Sequence, residues 1–356
     1  MVAAELRDSV QTAPRRWYIR AVSDIHVVVI GGGVVGVAVA HALARRGVES
    51  LILEAEDSLG SKASATNSGI LHTGFDSTPG ELETRLILRS AQLRSELVLG
   101  VPVVRCGAQL VPRDDEERAT VREIAEGAAR NGVEVRLLDD GTLEVPGEAI
   151  TDPVGYVQAL AAGLEVRLGG RVDGIEAGKD MVVHTAGGER VSARLAVNCA
   201  GLYGDEVARL AGDDSFRIYP RKGEFLVFQP PPGERLERIL LPIPTKRTKG
   251  VLVFPRLDGT VAAGPTAVDL EDKTDWSVRA EARDEVVAKA AELLPWIGDA
   301  EPVGAWAGLR PAGRGVNYVI GPSAACPRLI NVAAIRSTGL SASLGIGEHV
   351  AEIATA

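Results

Sequence analysis

The feature that most constrains the fold is a glycine-rich turn between a short apolar run and an alanine-rich segment. Residues 26–30 are β-branched and apolar, as expected for a strand that is buried on both faces. The turn at 31–36, Gly-Gly-Gly-Val-Val-Gly, follows at once, and residues 37–46 favour a helix that ends at Gly47. A second apolar run at 48–53 completes a predicted βαβ unit.

The three glycines of this turn, Gly31, Gly33 and Gly36, have the GxGxxG spacing of a dinucleotide-binding turn, and Glu54 follows Gly31 by 23 residues. Gly31 allows the tight turn, Gly33 lets the backbone approach a pyrophosphate, and Gly36 lets the helix pack against the strand. The free N–H groups of a helix start attract phosphate, and the Glu54 carboxylate can accept hydrogen bonds from ribose hydroxyls. The alternative is a strand–helix turn without a ligand, and the spacing does not choose between NAD and FAD.

Composition narrows the class of partner and the compartment. The 356-residue chain has a net charge of −9 and only 4% aromatic residues, which argues against a nucleic-acid partner but leaves room for a local anion site. Its three cysteines, Cys106, Cys199 and Cys326, are far apart and are not grouped with histidines. We therefore expect no disulfide framework, no metal site and a reducing, cytoplasmic location.

The apolar runs and the N-terminal residues bear on membrane attachment. No uninterrupted run of 18 apolar residues is present, so we expect no membrane-spanning helix. Residues 1–23 carry four arginines without an apolar core, which excludes an ordinary signal peptide. We interpret this arm as a flexible tail, with a basic peripheral anchor at the inner face of the membrane as the alternative.

Further along the chain, the spacing of apolar residues predicts helices over 80–98, 113–130, 153–162, 277–294 and 340–354. Strands are predicted over 103–111, 303–309 and 329–335. The Asp258-Gly259 pair between two apolar runs predicts a hairpin.

After the βαβ unit, the chain continues into a polar segment, Asn-Ser-Gly-Ile-Leu-His-Thr-Gly-Phe at 67–75, rather than into another βα unit. This segment resembles the D-amino-acid-oxidase-like FAD oxidoreductases. Within that superfamily the chain is similar to the bacterial FAD-dependent glycerol-3-phosphate dehydrogenases and oxidases and to the L-2-hydroxyglutarate dehydrogenases. The resemblance runs from about residue 25 to the end, and its other motifs lie at 198–205, 220–225, 244–253, 264–267, 307–311 and 335–343.

The resemblance implies an α/β fold with two interleaved domains. A Rossmann-like FAD-binding domain of the glutathione-reductase type is expected to comprise residues 24–98, 150–213 and 326–356. A β-rich α+β substrate domain is expected to comprise residues 99–149 and 214–325. The cap over the substrate looks short beside those of relatives, and the cap is the region that selects the substrate.

The resemblance also implies which residues hold FAD. Gly31, Gly33 and Gly36 would hold the pyrophosphate and Glu54 the adenosine ribose. The other expected contacts are along the flavin, near the adenine, near the ribityl chain and at the start of the last helix: Asn67, Ser68, Gly69; Val172; Ala200, Gly201; Gly339, Leu340 and Ser341. No cysteine lies at 67–75 or 336–343, which favours non-covalent FAD.

Oxidising a secondary alcohol requires a group that accepts the hydroxyl proton, and His72 is the best candidate because imidazole titrates near neutral pH. Arg310 can clamp a carboxylate or phosphate, and Lys249 can add a second positive charge, with Lys246 as its competitor. Ser337 precedes the last helix and can bond substrate or flavin. The plain alternatives are a structural histidine, a surface ion pair, a solvated lysine and a serine in the helix-cap region.

These residues lead to a first hypothesis: flavin-dependent oxidation of a small anionic secondary alcohol, sn-glycerol 3-phosphate, to dihydroxyacetone phosphate. The electrons would leave to a quinone, oxygen or a partner protein. The second hypothesis is an L-2-hydroxy acid dehydrogenase or oxidase acting on a substrate such as 2-hydroxyglutarate. The third is a catalytically idle FAD-binding subunit of a larger complex.

Overall fold

The computed structural model describes residues 25–97, 100–244 and 250–356. The helices of this part are α1 Val34–Arg45, α2 Leu82–Glu96, α3 Asp115–Arg130, α4 Pro153–Ala161, α5 Gly204–Leu210, α6 Ala282–Leu293 and α7 Gly339–Thr355, with 3₁₀ turns at Gly201–Tyr203 and Pro295–Asp299. The strands are β1 Ile25–Ile30, β2 Ser50–Leu53, β3 Ile70–Leu71, β4 Val103–Val104, β5 Ala108–Leu110, β6 Arg136–Leu137, β7 Leu143–Val145, β8 Ala149–Thr151, β9 Glu165–Arg167, β10 Val172–Ala177, β11 Met181–Thr185, β12 Arg190–Asn198, β13 Ile218–Phe228, β14 Ile239–Leu240, β15 Leu252–Pro255, β16 Val261–Gly264, β17 Val268–Asp269, β18 Gly304–Gly313, β19 Val319–Pro322 and β20 Leu329–Ala333.

The first sheet has the strand order β10-β11-β12-β1-β2-β9. Strand β20 pairs with the C-terminal part of β12, and β19 pairs with β20. Its centre is parallel: β1 lies between β2 and β12, and β20 also runs parallel to β12. All of β1 except His26 is buried, because helices and strands cover both faces of this strand. Helices α1 and α7 pack so closely that a Cβ on Gly347 would overlap the carbonyl of Ala38.

The second sheet has the order β17-β13-β16-β15-β14-β5-β7-β6, with β18 on the other edge of β13. The long strand β13 is buried along most of its length and pairs with β18 in antiparallel register over ten positions. Two aligned partners in this pair are Arg221 and Arg310, so their positive charges lie close together. A small third sheet, β3-β8-β4, connects the region after the glycine-rich turn to the second sheet's segments.

The predicted βαβ unit, the helices after it and the Asp258-Gly259 hairpin are confirmed. Three predicted element bounds were wrong. The run at 103–111 forms two short strands, β4 and β5, with Gly107 at φ +70° between them. Helix α6 begins at Ala282 rather than at 277, and β18 continues to Gly313.

The sheets also differ from one expected domain boundary. Strand β19, which the boundary at 325/326 assigns to the substrate domain, pairs with β20 and belongs to the first sheet. Residues 1–24 lie outside the described residues, so the interpretation of residues 1–23 as a tail stays a prediction. No helix in the described part of the chain is long and apolar enough to cross a membrane.

Candidate active site

A first cavity of about 890 Å³ opens at the carboxyl ends of the parallel strands β1, β2, β12 and β20. In open α/β sheets, this edge is where nucleotide ligands bind. Nine of the residues predicted to hold the cofactor line the cavity: Gly31, Gly33, Glu54, Asn67, Val172, Ala200, Gly201, Gly339 and Leu340.

The glycine-rich turn forms one end of this cavity. Gly31 has φ +105°, and a Cβ there would lie 2.5 Å from the carbonyl oxygen of Cys199. Helix α1 starts directly after Gly33, with no side-chain cap on Gly33 and no acidic residue in its first turn. One of its first N–H groups, that of Val34, donates to Ser64 Oγ at 3.0 Å. The turn therefore presents a positive helix end that suits a pyrophosphate.

We expect Gly31→Ala to abolish cofactor retention, because the new Cβ must move the β1–α1 turn away from the carbonyl of Cys199. Gly170→Ala is the matched control: Gly170 lines the same cavity, and a Cβ there meets nothing closer than 3.6 Å. The measurement is the flavin absorbance per protein after gel filtration. Equal flavin content in the two variants would contradict the role given to Gly31.

Glu54 is fixed at the end of β2. Its Oε2 accepts the N–H of Gly32 at 2.6 Å, and its Oε1 accepts the N–H of Glu56 at 2.9 Å. Each carboxylate oxygen keeps a second lone pair, so Glu54 can also accept from two neighbouring ribose hydroxyls. A phosphate on the ribose would instead meet a like charge.

The start of helix α7 forms another part of the wall. The side chain of its N-cap residue, Thr338, accepts no hydrogen bond from the first N–H groups of the helix, and the first turn carries no acidic residue. Two positive helix ends therefore face one cavity, which suits a long ligand that has a pyrophosphate and a second site of negative charge. This arrangement and the Glu54 carboxylate fit FAD. Cys199 also lines the cavity, but burial raises the pKa of its thiol, which makes it a poor nucleophile toward a cofactor.

A second cavity of about 630 Å³ adjoins the first. The two share the wall residues Ala63, Asn67, Pro311 and Arg336. His72, Arg310 and Ser337, predicted from sequence as catalytic, all line the second cavity, as does Ser68. A substrate in the second cavity would therefore lie beside whatever fills the adjoining part of the first.

His72 is held by its backbone and by its ring. It follows β3, and its N–H donates to Ser341 Oγ at 2.9 Å while its carbonyl accepts from Arg94 Nη2 at 3.3 Å. The ring nitrogen Nδ1 contacts Glu148 Oε2 at 2.8 Å. The ring is 29% exposed, whereas the Glu148 side chain is completely buried. The histidine is therefore fixed from behind and reaches into the cavity.

The Arg94 side chain links the elements around His72. Its Nη1 donates to the carbonyl of Ser341 at 2.6 Å, so one side chain joins helix α2, the end of β3 and the first turn of α7. Burial lowers the pKa of the Arg94 guanidinium, and the opposing charge of Glu148 raises it. Ser341 itself is buried and does not line the first cavity. Its hydroxyl accepts the N–H of His72, and its predicted contact with the cofactor stays a prediction.

Arg310 lies within β18, with its Nη2 donating to the carbonyl of Thr266 at 2.8 Å. Among the described residues, no carboxylate forms an ion pair with it. Burial, and to a lesser extent the adjacent charge of Arg221, lower its pKa to about 10, and the charge of Asp269 opposes them only weakly. A partly buried cation with so little compensation is costly, and an anion in the second cavity would relieve that cost.

Gly223 makes room for the Arg310 guanidinium. A Cβ on Gly223 would overlap Arg310 Nη2 and lie 2.9 Å from Pro265 Cβ. We expect Gly223→Ala to displace the guanidinium and raise the KM for an anionic substrate about tenfold or more, because a charged hydrogen bond is worth about 1.5–3 kcal/mol. Gly304→Ala on the paired strand is the control, because its Cβ would meet only Val227 at 3.8 Å. An unchanged KM in Gly223→Ala would contradict this.

Several predicted residues lie elsewhere or outside the described residues. Gly36 packs α1 against Gly31, and the carbonyl of Gly69 accepts the N–H of Thr151 at 2.8 Å. Neither lines the first cavity. Lys249 and its competitor Lys246 lie outside the described residues, although Pro244 and Gly250 on either side line the second cavity. The role of Lys249 stays a prediction.

Sequence reasoning missed Glu148, Arg94, Gly223 and the place of Arg336 in both cavity walls. Arg336 has φ +48°, an uncommon backbone conformation for this residue type, and its N–H donates to the carbonyl of Pro311 at 3.2 Å. Its side chain is half-exposed and approaches Glu83 Oε2 at 3.9 Å. None of the described residues forms a His, Cys, Asp and Glu cluster that could hold a metal.

Comparison with known proteins places these cavities in a family. The model of the FAD-dependent oxidoreductase family known as DAO matches residues 26–353. The chain belongs to this family, and the fold class, the FAD cofactor and the oxidoreductase class predicted from sequence are confirmed.

Two relatives and one solved structure make the comparison more specific. The chain is 29% identical over 92% of its length to a glycerol 3-phosphate dehydrogenase of Caloramator mitchellensis, covering 73% of that protein. It is 31% identical over 67% of its length to the mitochondrial L-2-hydroxyglutarate dehydrogenase of Mus musculus, covering 60% of it. The fold matches that of the L-α-glycerophosphate oxidase of Mycoplasma pneumoniae with FAD bound, with a TM-score of 0.86, 22% identity and coverage of 94% and 95% of the two chains.

Proposed function

We propose that this protein oxidises sn-glycerol 3-phosphate to dihydroxyacetone phosphate, with FAD in the first cavity and the substrate in the second. The observation that carries the proposal is the pairing of two groups in one cavity wall. Arg310 is a partly buried cation without a carboxylate partner among the described residues, and His72 is a histidine whose ring contacts a buried carboxyl group. A small anionic alcohol would supply a negative charge for Arg310 and a hydroxyl proton for His72.

Each residue of the second cavity has a distinct proposed role. The Arg310 guanidinium binds the phosphate oxygens and fixes the distance from the anion to the reacting carbon. His72 accepts the hydroxyl proton as the C–H bond breaks and the C=O bond forms. FAD, when bound, supplies the acceptor for the hydride, which carries both electrons. Ser337 is exposed in the same wall and is proposed to bond the substrate, with Lys249 as a second positive charge.

The second candidate is oxidation of an L-2-hydroxy acid such as 2-hydroxyglutarate. The observation that favours it is the presence of Arg221 and Arg336 in the wall of the second cavity beside Arg310. Three guanidinium groups would suit two separate carboxylates. The acidic side chains Asp76, Glu81 and Glu83 line the same cavity and oppose a second anionic end, so we rank this candidate behind the phosphate ester.

Anaerobic mixing of the holoprotein with a panel of compounds tests the proposal. We expect rapid loss of flavin absorbance with sn-glycerol 3-phosphate, and slow or no loss with L-2-hydroxyglutarate, glycine or L-proline. Rapid reduction by a compound outside the phosphate esters would overturn the substrate assignment. Reduction by none of the small alcohols or amines would favour the idle-subunit hypothesis, in which activity returns only in a complex.

We also propose that the electrons pass from the reduced protein to a quinone, to oxygen or to a partner protein. Mixing the reduced protein with air distinguishes these acceptors. Fast return of the flavin absorbance with formation of peroxide indicates an oxidase, whereas slow return indicates a quinone or a protein. We propose a cytoplasmic location, and a quinone acceptor would bring the protein into peripheral contact with a membrane.

A further inference from the structure

Glu148 is a completely buried carboxylate that lies 76 residues from His72 in sequence and touches it in space. It sits between β7 and β8, where its backbone N–H donates to Val145 and its carbonyl accepts from Gly107 at 2.9 Å. These backbone bonds make the turn and do not need the side chain. The side chain is therefore available for another purpose.

The Glu148 side chain makes three hydrogen bonds, all to two residues at the end of β3. Its Oε1 accepts from the Thr73 N–H at 2.7 Å and from Thr73 Oγ1 at 2.9 Å. Its Oε2 lies 2.8 Å from His72 Nδ1, within hydrogen-bond distance. An ionised carboxyl group has no proton to donate, so it can only accept in these contacts. The proton of the neutral imidazole therefore resides on Nδ1.

We infer that Glu148 is a positioning residue for the oxidation, one that fixes His72 in the Nδ1–H tautomer and stabilises the imidazolium formed when His72 takes the substrate proton. The inference rests on the proposed function, because it assigns Nε2 as the atom that accepts the hydroxyl proton. The negative charge of Glu148 stabilises the imidazolium and so makes His72 a stronger base. The bonds from the His72 backbone to Ser341 and Arg94 keep the residue in place.

Other charged and titratable groups surround the His72–Glu148 pair. Arg94 lies beneath it and is coupled to Glu148, and Cys106 is coupled to Glu148 from the neighbouring segment. From the cavity side, the ring faces a wall that contains three guanidinium groups and three carboxyl groups, those of Arg221, Arg310, Arg336, Asp76, Glu81 and Glu83. Glu148 is in hydrogen-bond contact with the ring nitrogen Nδ1, so its removal should have a specific effect.

The test uses the Glu148→Gln holoprotein, which keeps the side-chain shape and removes the charge. The rate of anaerobic reduction by sn-glycerol 3-phosphate is measured between about pH 5 and pH 9, around the imidazole range. His72 must be neutral to act, so the wild-type rate should rise with pH through the pKa of His72. Without the carboxylate the imidazolium loses its partner, and the midpoint should move down by about one pH unit or more. The plateau rate should fall about tenfold or more, because a weaker base accepts the proton less readily.

Glu144→Gln is the matched control, because Glu144 lies on β7, four residues before Glu148, and pairs with Arg238 at 2.7 Å rather than with His72. Its midpoint should equal that of the wild type. A Glu148→Gln protein that retains FAD and has the wild-type midpoint and plateau would overturn the inference. A purely structural role would lower flavin content or thermal stability without moving the midpoint.

Proton–nitrogen NMR of wild-type protein labelled on its five histidines gives an answer without any variant at position 148. His72→Gln assigns the His72 signal by its disappearance. We expect the proton on Nδ1, and a proton on Nε2 of the neutral ring would overturn the inference. If sn-glycerol 3-phosphate fails to reduce the wild type, the proposed function fails, whereas the tautomer measurement still tests the Glu148 contact.

Discussion

Replacing His72 with glutamine is expected to slow anaerobic reduction by sn-glycerol 3-phosphate by about 10²–10⁴-fold, the usual contribution of a general base. His72 lines the second cavity; its ring contacts Glu148, and Ser341 and Arg94 bond to its backbone. Glutamine occupies similar space but cannot accept the hydroxyl proton. Substrate affinity should change much less, because the proposed anion contact belongs to Arg310.

The matched control is His26→Gln, since His26 is exposed on β1 and lies outside both cavity walls. It should reduce at the wild-type rate. Stopped-flow absorbance gives the rate and the apparent dissociation constant separately. If His72→Gln retains flavin and reduces as fast as wild type, His72 is not the base, and a structural histidine becomes the correct interpretation.

Replacing Arg310 with methionine is expected to lower kcat/KM for sn-glycerol 3-phosphate by about 30- to 4,000-fold, since removing one partner of a buried charge pair costs about 2–5 kcal/mol. Arg310→Lys should restore only part of this loss, because an ammonium cannot make the two parallel bonds of a guanidinium. The loss should appear mainly in KM if the substrate that still binds to the variant keeps its orientation.

Thermal stability gives a second signature of Arg310. In the free protein the guanidinium is partly buried and has no carboxylate partner among the described residues, so Arg310→Met should unfold at the same or a higher temperature. Arg217→Met is the control, because Arg217 is half-exposed near the start of β13 and pairs with Asp214 at 3.1 Å. A variant that loses stability and leaves KM unchanged would show that Arg310 is a structural cation.

The first cavity could be predicted from sequence because its residues lie in short, local motifs. The strand, the glycine-rich turn and helix α1 are contiguous, and local sterics fix them, as at Gly31 with φ +105°. Parallel strands then bring Glu54, Ala200 and Gly339 to one edge of the sheet. A predicted strand order is therefore enough to place these residues together.

The second cavity could be predicted only in part. His72 and Arg310 stand in recognisable motifs, but Glu148 has no local signal, since it is a single carboxyl group in a turn and reaches His72 through the pairing of β3 with β8. The contact between Ser341 and His72 has no local signal either. The position of Ser341 in α7 is predictable, but its hydroxyl accepts the N–H of His72, and that contact depends on tertiary packing.

The same limit applies to the domain boundary. The apolar run in β19 could belong to either sheet by composition, and only its antiparallel pairing with β20 assigns it to the first. Pairing between strands that are distant in sequence is set by the whole sheet, so one chain read locally cannot fix it.

The most direct test of the account is an anaerobic titration of the holoprotein with sn-glycerol 3-phosphate, with product analysis at each addition. We predict that one equivalent of substrate bleaches one equivalent of flavin and yields one equivalent of dihydroxyacetone phosphate, because each oxidation removes one hydride and one proton. An unbleached flavin, or bleaching without formation of the ketone, would contradict the account.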